Sequence, residues 1–151
     1  MNRAETDDAP VPDVASGLDS RSKRRLFTVQ MALVVLLAGY WLSMFVGTHL
    51  PSIPNVVSDK ILHLCGYGGL AAVLLAWRAS RGPVAFRTIG WLWLLIAGYG
   101  VFDEITQPIV GRHCDVADWI ADLMGAAIGL AIMWPVASRV FASTSGVRAR
   151  D

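Results

Sequence analysis

The chain has 151 residues, 54% hydrophobic and only 17% charged. That balance excludes an ordinary soluble domain of this size and describes one integral membrane domain. Thirteen Lys and Arg against twelve Asp and Glu leave a formal charge of +1, without the clustered basic excess that nucleic-acid binding requires.

Residues 1–25 are expected to be a disordered amino-terminal tail. The first twenty are rich in Asp, Ala, Pro, Ser and Gly and bury too little apolar surface to offset the entropy of ordering. Arg21, Lys23, Arg24 and Arg25 follow as an orientation signal that contacts the inner leaflet. Residues 26–47 carry no charge. Their length suits a hydrocarbon core of about 30 Å and exceeds a signal-peptide apolar region of roughly 7–15 residues. This is the first expected span, with Tyr40 and Trp41 as interface anchors and packing residues.

The segment 48–58 holds Pro51 and Pro54 and should be irregular. The second span is expected over 59–77 with Ser58 as its N-cap, closed by Arg78, Arg81 and Arg87 around Gly82-Pro83. The third is expected over 88–107, where Pro108 ends or kinks it. The fourth is expected over 116–138, with Asp122 about one turn inside its apolar run, and residues 139–151 form a polar carboxyl tail. The expected fold is all-α, an integral membrane bundle of four transmembrane helices.

Basic residues orient the bundle. All Lys and Arg except Lys60 and Arg112 fall in the amino-terminal flank, the loop after the second span or the carboxyl tail. By the positive-inside rule both termini are expected to be cytoplasmic in a multi-pass protein of the cell membrane. Asp59, Lys60, His63, Asp103, Glu104, Gln107, Arg112, Asp115, Asp118 and Asp122 then all fall at the extracytoplasmic ends of the last three spans.

Helical periodicity gathers these groups further. Asp59, His63 and Gly66 share a face of the second helix, with Tyr67 at its border. Glu104, Gly100, Ala97 and Trp93 share a face of the third, with Gln107 on the same side. Asp115, Asp118 and Asp122 form a stripe that continues through Gly125 and Gly129, a small-residue pair that permits close helix approach. The polar groups should therefore meet in a shallow cup that excludes lipid and admits water.

These residues resemble the VanZ-like membrane proteins over roughly residues 26–136. The resemblance rests on Asp59-Lys60 with His63 and Tyr67, on Tyr99-Gly100, Asp103-Glu104 and Gln107, and on Arg112, Asp118, Asp122, Gly125 and Gly129. The chain departs from the pattern between Gln107 and Arg112, where Pro108 intervenes and Gly111-Arg112 arrives one residue early. That family takes its name from a glycopeptide-resistance protein. The resemblance implies a cell-envelope role at the outer surface of the membrane and supplies no established reaction.

Each element also has a structural reading. Asp59, Asp115 and Asp118 can cap helix starts; Lys60 and Arg112 can snorkel or pair with acids; His63 can hydrogen-bond between helices. Asp122 lies inside a span, so it is either paired with Arg112, Lys60 or His63, or protonated. Cys65 and Cys114 lie on the expected oxidising side, where they either bridge or Cys65 serves as a small apolar residue. No CxxC, HExxH, GxSxG or Walker pattern occurs, and no metal or cofactor is expected.

Two functions follow as expectations. In the first, the cup binds an envelope lipid, a lipid-linked precursor or another membrane protein, with Lys60 and Arg112 turned toward anionic groups. The alternative is a membrane enzyme on a lipid-phosphate-type substrate, in which Glu104, Asp118 and Asp122 hold a divalent metal or, with His63, act as acid and base. Ion translocation is disfavoured, because no ionisable residue lies in the inner half of any span.

Overall fold

A computed structural model describes residues 14–50 and 58–148, with side chains for 20–50 and 58–139. Four α-helices follow one another, α1 Val14–His49, α2 Asp59–Ala79, α3 Phe86–Thr106 and α4 Val116–Arg148, with a 3-10 turn Gln107–Val110 after α3. No strand occurs among the described residues. Each helix contains a stretch long and apolar enough to cross a membrane: Ser20–His49, Asp59–Ala79, Phe86–Val110 and Val116–Arg139.

The outward faces agree with that. Phe86, Trp91 and Ile132 are 83%, 70% and 67% exposed, which water would penalise and lipid does not.

Two boundaries differ from expectation. α1 starts at Val14, so residues 14–25, expected as disordered tail, are helical; residues 1–13 lie outside the described residues. α4 likewise runs through Ser138 to Arg148, where a polar tail was expected. The reason is common to both. An apolar span already supplies the helix nucleus, and adding turns to it costs far less than starting them, with Arg and Lys among the better helix formers. At the other end of α1 the helix persists to His49, two residues before Pro51. The expected irregular segment is therefore shorter, and residues 51–57, with both prolines, lie outside the described residues.

α2 is the central element. It buries His63, Tyr67, Leu70, Ala71, Leu74, Leu75 and Ala79, and its partner is α4. The two helices start at the same end of the bundle and run parallel, in contact through glycine. A Cβ on Gly125 would overlap the Leu64 carbonyl, and one on Gly129 would overlap the Gly68 carbonyl.

α3 is fastened to α4 by two indoles: Trp93 Nε1 donates to the Leu123 carbonyl and Trp119 Nε1 to the Ala97 carbonyl, both at 3.1 Å. α1 lies outermost. Tyr40 donates its hydroxyl to the Gly66 carbonyl at 3.0 Å, and Gln30 Nε2 donates to the Ser80 carbonyl at 2.8 Å. Tyr40, expected as an interface anchor and packing residue, is an interhelical tie.

Candidate functional site

The starts of α2 and α4 meet the ends of α1 and α3 at one end of the bundle, and the polar residues collect there. On α4, Asp115 precedes the first helical residue and its Oδ1 accepts the Ala117 N–H at 2.8 Å, satisfying one of the orphan donors of a helix start. Gly111 at φ 81° turns the chain after the 3-10 turn, and Arg112 follows.

The parallel register of α2 and α4 matches each group to a partner. Lys60 Nζ donates to Asp115 Oδ2 at 2.8 Å and to Asp118 Oδ1 at 2.9 Å. One turn deeper, His63 Nδ1 is hydrogen-bonded to Asp122 Oδ1 at 2.8 Å. Asp59 accepts from Arg112 Nη2. Of the partners open to Asp122, the structure selects His63.

Glu104 closes the cluster from α3. Its Oε2 accepts the Asp115 N–H at 2.8 Å and its Oε1 accepts Gln107 Nε2 at 3.3 Å. Gly100, one turn below, leaves room for Asp122: a Cβ there would lie 3.0 Å from Asp122 Oδ2. Tyr67 is fully buried beneath His63, its ring nearly parallel to the imidazole at 6.2 Å.

Asp103 belongs to the α1 side of the site. It accepts from Thr48 Oγ1 at 2.9 Å and lies 3.7 Å from His49 Nδ1, while His49 Nε2 is 3.0 Å from Thr106 Oγ1. Thr48 and His49 are not marked by the sequence pattern, because Pro51 and Pro54 make 48–58 read as irregular. A signal was present: no helix breaker follows Gly47 until Pro51.

Depth sorts the charges. Lys60 and Asp115 are about half exposed, whereas Asp118 is 6% and Asp122 0% exposed at the side chain. Asp115 lies outside the spans, and the Lys60 ammonium, with the Ala117 N–H, holds its carboxyl below the usual carboxylate range.

Six carboxyl groups, on Asp59, Asp103, Glu104, Asp115, Asp118 and Asp122, thus face two full cations, both already engaged. At an effective dielectric of about 20, like charges roughly 4 Å apart repel by about 4 kcal/mol, which a further cation would relieve.

Several buried polar atoms have no hydrogen-bond partner: His63 Nε2, Asp122 Oδ2, Gln107 Oε1, Asp103 Oδ2 and the Tyr67 and Tyr99 hydroxyls. Native interiors rarely leave such groups unpaired without water or a ligand. Two sets of three side chains can each bring their ligand atoms within 4.8 Å of one another: Asp59, His63 and Asp118, and His63, Glu104 and Asp122. His63 is common to both. Cys65 and Cys114 are exposed and free, so no disulfide closes this end.

An apolar groove of about 390 Å³ opens between α1, α2 and α3, lined by Val34, Leu37, Ala38, Trp41, Leu70, Leu74, Leu95, Ile96 and Tyr99. Aromatic rings stand between it and the polar cluster, Tyr99 against buried Tyr67 at 5.9 Å and Tyr67 against His63 at 6.2 Å.

A family model described as VanZ/LLP1 matches residues 14–140, which include all four spans. No curated protein and no solved structure matches the chain.

Proposed function

The chain belongs to the VanZ/LLP1 family and is a multi-pass membrane protein, and from that premise we propose that it binds one envelope lipid or lipid-linked precursor. The head group lies at the polar cluster and an acyl or prenyl chain lies in the groove. The observation that carries this reading is the adjacency of the two features. An open groove lined by apolar side chains lies beside buried polar atoms without partners, with the Tyr99 and Tyr67 rings packed between them.

An ion alone would use only the cluster, and a partner helix only the groove. An amphipathic molecule uses both. Depth agrees as well. Leu70 and Leu74 lie eleven and fifteen residues into α2 from Asp59, about 16 and 22 Å along its axis at 1.5 Å per residue. A chain attached to a head group at the polar end would therefore descend toward the membrane centre.

The distribution of Lys and Arg supports placing the polar end on the extracytoplasmic side, which makes the ligand a lipid of the outer leaflet. Native mass spectrometry of the gently purified protein tests the reading. The expected result is one retained lipid species per chain, depleted by Ala38→Trp, which fills the groove. Retention of bulk lipid only, unchanged by that substitution, overturns it.

A further inference from the structure

We propose that His63, Glu104 and Asp122, with Asp118 at their edge, form a divalent-cation site, and that the cation held there receives the phosphate of the lipid head group. The second half rests on the lipid reading above; the first does not.

Three observations converge on the cation. His63, Glu104 and Asp122 come from three different helices, are each buried, and can bring one ligand atom apiece within 4.8 Å of the others. His63 is held at Nδ1 by Asp122 and keeps Nε2 without a partner at 3% exposure. A cation ligated by both residues takes the Nδ1 side of the ring, which faces Asp122 Oδ1, and replaces the proton shared there. Asp122 Oδ2, on a side chain with no exposed surface, is likewise unpartnered. Helix starts and caps account for Asp59, Asp115 and Asp118; they do not account for these two atoms.

The charge of the site decides what the cation is for. Lys60 is engaged by Asp115 and Asp118, and Arg112 by Asp59. A phosphate approaching this end finds both of these cations already paired with carboxylates. A divalent ion on His63, Glu104 and Asp122 offsets the two carboxylates and offers its open coordination positions to phosphate oxygens. One imidazole with carboxylates suits Zn²⁺ or Mn²⁺.

The test uses the full chain in nanodiscs of zwitterionic lipid, stripped with EDTA and titrated with Zn²⁺ by calorimetry and with Mn²⁺ by electron paramagnetic resonance. The expected result is one cation per chain, with affinity lowered roughly tenfold or more by His63→Gln and by Asp122→Asn, and unchanged by Cys114→Ser. Absence of stoichiometric binding by the unsubstituted chain overturns the site, whatever the variants do. So does unchanged affinity in either variant when it remains monodisperse with full helical circular dichroism.

Retention of phosphatidylglycerol is then measured with EDTA and with the bound cation. Retention that requires the cation supports the bridge. Equal retention in EDTA overturns the bridge and leaves the lipid reading standing, whereas cation binding with no lipid retained overturns the lipid reading and leaves the metal site.

Discussion

Lys60 holds two carboxylates of α4 at once, and the pair differs in depth. Asp115 is solvated and caps the helix, whereas Asp118 is nearly buried. The sign of the pH dependence follows from Asp115. Its folded-state carboxyl is held below the ordinary value, so its contribution is present above the usual carboxylate range, near pH 4, and is lost as pH falls through the depressed value. In Lys60→Met the main cause of the depression is gone. The fall in melting temperature between about pH 6 and pH 3 should therefore be shallower than in the unsubstituted chain. Identical slopes would show that Lys60 does not set the Asp115 proton affinity. His63 and Asp122 stand apart from this rim pair, since both are buried and each keeps an unpartnered atom.

At the scale of elements, the register of α2 against α4 decides which side chains meet. Lys60 with Asp118, His63 with Asp122, Leu64 with Gly125 and Gly68 with Gly129 are successive contacts of one parallel pair. The glycines permit the approach, and the approach brings the polar groups within hydrogen-bond reach. Gly125→Ala or Gly129→Ala should push the helices apart and destabilise the protein by about 1–3 kcal/mol, the usual cost of overpacking. Gly98→Ala, where an added Cβ meets nothing within 4 Å, should cause no loss. Melting temperatures in detergent compare the three. Equal behaviour would mean that the glycine stripe does not set the register.

For the whole molecule, the reading turns on which side of the membrane holds the polar end. Cys114 is exposed there, and the loop containing Arg81 is at the opposite end, where Arg78 Nη1 and Nη2 donate to the Gly82 and Pro83 carbonyls. In a Cys65→Ser background, a membrane-impermeant maleimide added to intact cells should label Cys114. A cysteine replacing Arg81 in a Cys65→Ser, Cys114→Ser chain should be protected until the membrane is opened. The reverse pattern would place the polar end in the cytosol and rule out an outer-leaflet ligand.

The four spans, the collection of acids at one end and the glycine stripe on α4 were legible in the sequence, because hydropathy and the helical repeat are local properties of the chain. The repeat also put Glu104 and Gly100 on the face that meets α4. It could not choose partners. That Asp122 pairs with His63, that Arg112 holds Asp59, and that Thr48 of α1 holds Asp103 were decided only when the helices packed. Periodicity gives the direction of a side chain around its own axis, while the distance to another helix depends on rotation, tilt and approach, which contacts far apart in sequence determine together.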